Sequence, residues 1–166
     1  MLGSAYFIGW TTFAIAIPRL ADIYGRKKIY STAMLVQAPV ICTMIFSQSI
    51  MLTTAMLFMM GVCAAGRASV GFLYIMEMVP NHAKSFVASM VGMLDCMTMI
   101  YATIYFMFIS HDSVYWEYFA VFQNIATILL VLMYVPESPK WLFEKGRFKE
   151  ARETLMYLAK RNGVDE

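Results

Sequence analysis

Residues 50–76 read IMLTTAMLFMMGVCAAGRASVGFLYIM and contain a single charged residue, Arg67. A helix of about 20 apolar residues is long enough to cross the hydrocarbon core of a bilayer. Because lipid offers no hydrogen-bond partners, the backbone of such a segment must pair with itself, and a helix does this completely. The stretch therefore predicts a membrane-spanning helix rather than the interior of a water-soluble domain.

Four further apolar segments approach or reach the same length. Three of them contain no charged residue, and the fourth contains only Asp95. The segments are residues 2–17, 29–46, 86–109 and 118–135. The first is short, and it gains length if it continues to Ala21 while the Arg19 side chain extends toward the lipid headgroups. The sequence thus predicts an all-α, multi-pass membrane bundle of five transmembrane helices over residues 1–135.

The composition excludes several other classes of protein. Of the 166 residues, 60% are hydrophobic and 14% are charged, whereas a soluble domain has about 25% charged residues. The net charge of +2 gives no reason to expect a nucleic-acid partner. Cys42, Cys63 and Cys96 are too far apart for a close-spaced metal pair, and we expect free thiols in apolar surroundings. We predict no catalytic group, no metal and no cofactor.

The basic residues predict the orientation in the membrane, because cytoplasmic connections are enriched in Lys and Arg. Twelve of the 13 Lys and Arg residues lie in residues 18–28, 77–85 and 136–166. The alternate connections, residues 47–49 and 110–117, contain none. We therefore expect the N-terminus outside and the C-terminus inside. An outside start without a signal peptide also suggests that a helix precedes this sequence.

Residues 136–166 predict a separate inner-face segment of two short helices. Pro136 cannot continue the fifth span. Ser138 is a good N-cap with Pro139 at the first helical position, and Gly146 suits the end of that helix. A second helix is expected to end at Asn162-Gly163. Its apolar stripe consists of Phe148, Ala151, Leu155 and Leu158. A frayed, charged tail is the alternative.

Three motifs resemble those of the major facilitator superfamily. Residues 18–28, PRLADIYGRKK, are similar to the loop motif G-x-L-a-D-r-x-G-R-[RK], with Pro18 and Ile23 as departures. Residues 66–84 resemble the fourth-helix pattern G-R-x-x-x-G…E-x-x-P-x-x-x-R, with lysine at the last position. Residues 136–151 resemble the P-E-S-P-R-[WY]-L…G-R…E-A signature of the sugar porter and organic ion transporter branches.

The resemblance implies that the five spans correspond to helices two to six of a twelve-helix transporter. It implies a secondary transporter that moves a small polar or ionic solute, a sugar or an organic ion, by alternating access. The partners would be the lipid bilayer, the solute, and a missing C-terminal half or other membrane subunits. One alternative is a non-transporting, transporter-derived structural subunit of a larger membrane assembly. A partial gene model of an ordinary transporter is another.

The resemblance also implies a set of charged residues at the inner helix ends that holds the two halves closed. The set comprises Asp22, Gly25, Arg26, Glu77, Lys84 and Glu137. Gly25 supplies the positive φ that a tight turn between two helices needs. The alternative for these positions is a group of solvated loop charges.

Arg67 and Asp95 are the two charges inside predicted spans, where an unpaired charge is costly. Each lies 14 residues from Asn81, the midpoint of the connection between their helices, so both are expected at similar depth. We predict that they pair, directly or through water, either to fix helix packing or to handle a solute or a proton. Small residues around Arg67, at positions 61, 65 and 69, predict close helix packing. Gly66 and Gly71 could equally leave space for a ligand.

Overall fold

The computed structural model of the protein describes residues 2–109 and 111–161, and these residues are almost entirely helical. The elements in chain order are α1 (Leu2–Phe13), α2 (Ala16–Tyr24), α3 (Arg26–Phe46), α4 (Ile50–Ala65), a π-helical turn (Gly66–Val70), α5 (Gly71–Met78), α6 (Lys84–Ile104), a second π-helical turn (Tyr105–Ile109), α7 (Ser113–Tyr134), α8 (Pro139–Glu144) and α9 (Phe148–Arg161). The predicted all-helical membrane bundle is therefore confirmed.

Four of the five predicted spans are single long helices. Those long and apolar enough to cross a membrane are Arg26–Phe46, Ile50–Met78, Lys84–Ile109 and Ser113–Tyr134. The two π-helical turns continue α4 into α5 and lengthen α6, so neither breaks its span. Each observed helix begins or ends within a few residues of the predicted segment.

The first predicted span is divided into two helices, α1 and α2, in the structure. The chain turns between Phe13, the last residue of α1, and Ala16, the first residue of α2. Pro18 explains the break, since proline has no N–H to donate to the carbonyl of Ala14 and its ring crowds that carbonyl. In α3, Pro39 lies within an unbroken helix, so the presence of a proline does not by itself interrupt a span.

Glycines bring α1 and α4 into direct backbone contact. A β carbon on Gly61 would collide with the carbonyl of Tyr6 and lie 3.0 Å from the backbone nitrogen of Trp10. A β carbon on Gly9 would collide in the same way with the carbonyl of Phe58. The predicted close packing around Gly61 is thus confirmed, and it extends to a glycine on the partner helix.

We expect Gly61→Ala to lower the free energy of unfolding by about 1–3 kcal/mol, because overpacking against a rigid backbone forces the helices apart. Gly92→Ala on α6 is the matched control, since a β carbon there meets nothing within 4 Å. That control should be neutral or slightly stabilising, because alanine loses less conformational entropy in a helix. Thermal unfolding in lipid nanodiscs measures both variants. Equal melting temperatures for the two variants would contradict the prediction.

The other glycines of the predicted small-residue region also serve packing. A β carbon on Gly66 would lie 2.9 Å from Cβ of Ala33, and one on Gly71 would lie 2.8 Å from the ring of Tyr30. Both glycines therefore hold α3 close to the first π-helical turn and α5. Ala33 and Tyr30 fill the space beside these two glycines, so neither position leaves room for a ligand in the structure.

The inner-face segment follows the predicted signals closely. Helix α7 ends at Tyr134, just before Pro136, and Pro139 begins α8. The hydroxyl of Ser138 accepts a hydrogen bond from the backbone N–H of Trp141 at 3.3 Å, which is the predicted N-cap. Gly146 has φ of 73° after the helix end. Residues 162 and 163, predicted to end the last helix, lie outside the described residues.

The buried face of α9 differs from its predicted apolar stripe. Ala151 and Thr154 are buried, whereas Phe148 and Leu155 are more than half exposed. Ala151 joins Trp141 and Leu142 of α8 in a small apolar cluster. The helix therefore packs through its small residues, which allow α8 and α9 to approach closely.

Candidate functional site

A buried ion pair lies where the start of α3 meets the end of α5. Arg26 begins α3, and its Nε and Nη2 atoms donate to the two carboxylate oxygens of Glu77 at 3.2 and 3.1 Å. Both side chains are 5% exposed. Nη1 of Arg26 also pairs with Asp22, whose side chain is 59% exposed. The guanidinium is thus held on two sides, by a buried and by an exposed carboxylate.

Ser138 connects this ion pair to the inner-face segment. Its hydroxyl donates to Oε2 of Glu77 at 2.6 Å, and the residue is completely buried. The same hydroxyl caps α8, so one oxygen joins the end of α5 to the start of α8. The indole Nε1 of Trp141 donates to the carbonyl of Asp22 at 2.9 Å. Helix α8 is therefore attached to both α2 and α5.

Glu137 holds the turn between α2 and α3. Its Oε1 accepts hydrogen bonds from the backbone N–H groups of Lys27 at 2.8 Å and Ser138 at 3.1 Å. A carboxylate at the first turn of α3 also lies favourably in the helix dipole. Gly25, with φ of 112° and ψ of 147°, makes the turn, and a β carbon there would lie 2.6 Å from Oε2 of Glu137.

Five of the six residues implied as an inner gate therefore meet in one cluster, which we call the inner-face network: Asp22, Gly25, Arg26, Glu77 and Glu137, with Ser138 and Trp141 in addition. Lys84 begins α6, and no ion pair within 4 Å joins it to these residues in the described part of the chain. Arg26 and Glu77 are buried and paired, which a solvated loop charge would not be. Asp22 pairs with Arg26 but is largely exposed, and Glu137 accepts from backbone N–H groups.

The sequence did not identify Ser138 and Trp141 as members of this network. The Ser-Pro pair predicted the cap of α8, but the contact from Ser138 to Glu77 spans 61 residues of chain. The hydroxyl of Tyr74 likewise donates to the carbonyl of Pro136. Such contacts depend on how α5 and α8 pack, and no local sequence pattern predicts that packing.

Arg67 and Asp95 do not form the direct ion pair that was one form of the prediction. Both side chains are exposed, and among residues 2–109 and 111–161 no ion pair within 4 Å involves either of them. The physical reason lies in α6, which contains no buried residue. That helix meets α5 near their connection and does not pack along α4, so equal depth does not bring the two side chains together.

Arg67 lies in the first π-helical turn, which continues α4 into α5. Its side chain is exposed. The glycines on either side of it, Gly66 and Gly71, pack against Ala33 and the ring of Tyr30 on α3. Arg67 is therefore an exposed cation near the middle of the span Ile50–Met78.

Comparison with known proteins extends over the whole chain. The family model described as "Sugar (and other) transporter" matches residues 1–166. Solute carrier family 22 member 15 of Xenopus tropicalis is 29% identical over 161 residues, which cover 96% of this chain and 29% of that protein. The niacin transporter NiaP of Acinetobacter baylyi is 24% identical over 161 residues, which cover 95% of this chain and 36% of that protein.

The name of a third relative indicates a different substrate. The proton myo-inositol cotransporter hmit-1.2 of Caenorhabditis elegans is 27% identical over 142 residues, which cover 81% of this chain and 23% of that protein. The chain thus spans between 23% and 36% of the length of these three curated relatives. The activity of each complete relative involves regions of that protein with which this sequence does not align.

Proposed function

Since the chain belongs to the family of sugar and other transporters, we propose that the complete protein moves a small polar or ionic solute across a membrane by alternating access. The resemblance to the major facilitator superfamily is confirmed by this family and by the named relatives. Membership indicates an integral, multi-pass membrane protein whose activity is transport rather than catalysis. The solute itself, a sugar or an organic ion, is part of the proposal.

The observation that carries the proposal is the match of the transporter family to residues 1–166. The named relatives are a solute carrier, a niacin transporter and a proton myo-inositol cotransporter. The comparisons give no support to the alternative of a non-transporting structural subunit.

We propose the inner-face network as one side of a gate. Its buried part, Arg26 with Glu77 and Ser138, fixes the ends of α3, α5 and α8 relative to one another. Its exposed part, the carboxylate of Asp22, is held by Arg26 and remains accessible at the rim. A rigid base with an accessible charge suits contact with a second half of the transporter. Lys84 is included in this proposal by its position at the same inner end.

We propose that Arg67 and Asp95 line the solute path. Charges in a membrane span are stable when they face water or a counter-charge. Both side chains are exposed and have no ion-pair partner within 4 Å in the described ranges. Their equal spacing from Asn81 predicts a similar depth. A hydrated path between helices would solvate them and would leave them free to bind an ionic or polar solute.

We propose an orientation with the N-terminus outside and the inner-face network inside. The Lys and Arg residues at the α2–α3 turn, at the start of α6 and in α8 and α9 support it, because such residues favour the cytoplasmic side. A cysteine introduced at Lys149 should then react with an impermeant maleimide only after the membrane is opened. Labelling of intact, right-side-out cells would overturn the orientation.

Uptake into liposomes tests the transport proposal. We expect the protein expressed from its complete coding sequence to accumulate at least one member of a panel of radiolabelled sugars and organic ions. Arg67→Ala should then reduce uptake at low solute concentration roughly tenfold or more, because a hydrogen bond to a charged group contributes about 1.5–3 kcal/mol. Asp95→Asn should act in the same direction.

Lys149→Ala is the matched control for the loss of a positive charge, since Lys149 is an exposed residue of α9. This variant should transport at the unmodified rate. If liposomes with the unmodified protein take up no more of any solute in the panel than empty liposomes do, the transport proposal is contradicted. Full activity in Arg67→Ala and Asp95→Asn would contradict only their assignment to the path.

A further inference from the structure

The last turn of α9 packs against the inner end of α7 through two tyrosines and an arginine. The hydroxyl of Tyr157 donates to the carbonyl of Tyr134 at 3.1 Å, and Nη1 of Arg161 donates to that hydroxyl at 2.8 Å. The guanidinium lies over the ring of Tyr134, with its central carbon 5.8 Å from the ring centroid. We use the name α7–α9 cluster for these three residues, which belong neither to the inner-face network nor to the proposed solute path.

The α7–α9 cluster lies where a membrane span ends. Tyr134 is the last residue of the span Ser113–Tyr134, and tyrosines are enriched where spans meet the lipid headgroups. The structure buries two residues of α7, Asn124 and Ile128, whereas Tyr134 is 51% exposed. Half of Tyr134 is therefore open to its surroundings at headgroup depth.

Arg161 keeps most of its hydrogen-bonding capacity. A guanidinium has five N–H donors, and the contact with Tyr157 uses one of them. The residue is exposed, and no carboxylate lies within 4 Å of it among residues 2–109 and 111–161. The ring and the hydroxyl restrain the guanidinium, so less entropy is lost when it binds a ligand. Its planar N–H groups match the oxygens of a phosphate.

The charge at this end of α7 is positive. The last carbonyls of a helix have no partner inside it and carry about half a negative charge. Nζ of Lys27 donates to one of them, the carbonyl of Leu132, at 3.1 Å. The unit charges of Lys27 and Arg161 together exceed that half charge. The nearby carboxylate of Glu137 accepts from backbone N–H groups at the starts of α3 and α8. Residues 139–161 contain seven Lys or Arg and three Glu, so the surrounding segment is positive as well.

We propose that the α7–α9 cluster binds the phosphate of an anionic phospholipid in the leaflet at the inner end of α7. Arg161 donates to the phosphate oxygens, and its charge complements the anionic headgroup. Leu130 lies one turn before Tyr134 on the same side of α7 and is 57% exposed, so the span offers apolar surface to the acyl chains. This lipid site is separate from the proposed gate and does not depend on the proposed transport activity.

Binding of defined lipids to the complete protein tests the proposal. Native mass spectrometry of the detergent-solubilised protein should detect tighter binding of phosphatidylglycerol than of phosphatidylcholine, whose headgroup has no net charge. Arg161→Gln should weaken the affinity for phosphatidylglycerol about fivefold, which is the contribution of one basic residue at an anionic membrane surface. The affinity for phosphatidylcholine should change less, because the lost interaction depends on the charge of the lipid.

Arg152→Gln is the matched control, because it removes the same charge from the same helix. Arg152 is exposed. It lies about two and a half helical turns before Arg161, so the two side chains are on opposite sides of α9. This variant should bind phosphatidylglycerol as tightly as the unmodified protein does.

Three results would overturn the proposal. Equal affinities of the unmodified protein for the two lipids would mean that the cluster does not select a negative charge. Equal losses in Arg161→Gln and Arg152→Gln would mean a diffuse attraction to the positive segment and no site. A density map of the unmodified protein in phosphatidylglycerol nanodiscs with another part of the transporter, or a second copy, over Arg161 would show a different occupant. Headgroup density within hydrogen-bond distance of Arg161 supports the proposal, and this map requires no variant.

Discussion

Glu77→Gln is expected to lower the free energy of unfolding by several kcal/mol, toward the lower end of the about 3–5 kcal/mol that follows the loss of one partner from a buried ion pair. The substitution keeps the side-chain volume and removes the charge that faces Arg26. Arg26, 5% exposed, would keep only the pairing with Asp22, whose side chain is largely in solvent. Ser138 would also lose its acceptor carboxylate.

Glu150→Gln provides the matched control, because it removes the same charge from another arginine–glutamate pair. Arg147 donates to both carboxylate oxygens of Glu150 at 2.7 and 2.6 Å, but both side chains are about half exposed. An exposed pair contributes at most about 1 kcal/mol. Chemical unfolding of the two variants in nanodiscs measures the difference. Equal destabilisation would mean that burial does not determine the strength of the Arg26–Glu77 pair.

The sequence predicted the parts of this site that depend on local chemistry. The turn was predicted at Gly25 because glycine tolerates a positive φ, and the start of α8 was predicted from the Ser138-Pro139 pair. Both features are set within one or two turns of chain, where spacing and structure are tightly linked. Charge patterning predicted Asp22, Arg26 and Glu77 at one membrane surface, and the structure brings their side chains into contact.

The parts that the sequence did not predict depend on how helices pack. The hydrogen bond from Ser138 to Glu77 exists because α8 folds back onto α5. Residue counting predicts matching depth for Arg67 and Asp95, but whether their side chains face each other depends on the path of α6, which has no buried residue. Pro18 and Pro39 look alike in sequence, yet only the turn before Pro18 interrupts its span. For Ser138, and for Arg67 and Asp95, the packing of helices that are distant in sequence decides between two local possibilities.

Gly25→Ala is expected to destabilise the protein by about 1–3 kcal/mol through backbone strain alone, because its φ of 112° and ψ of 147° lie in a region that essentially only glycine adopts. A further loss of about 1 kcal/mol is expected from the cap of α3. The new β carbon would lie 2.6 Å from Oε2 of Glu137. The displaced carboxylate would then no longer accept from the N–H of Lys27.

Gly146→Ala separates the two contributions. Gly146 has φ of 73°, in the left-handed helical region, and a β carbon there meets nothing within 4 Å. Its cost should be limited to about 1–2 kcal/mol of conformational strain. The denaturant concentration at the midpoint of unfolding should be lower for Gly25→Ala than for Gly146→Ala. If it is not lower, the contact with Glu137 is unimportant.

A double-mutant cycle with Glu137→Ala identifies the clash itself. Glu137→Ala alone removes the hydrogen bonds to Lys27 and Ser138 and should therefore destabilise the protein. In the Gly25→Ala background that carboxylate is already displaced, so its removal should cost less and should relieve the crowding. We expect the two effects to be less than additive by about 0.5–3 kcal/mol, the range for residues in contact. Strict additivity would mean that strain at Gly25, and not the position of the Glu137 carboxylate, accounts for the glycine at this turn.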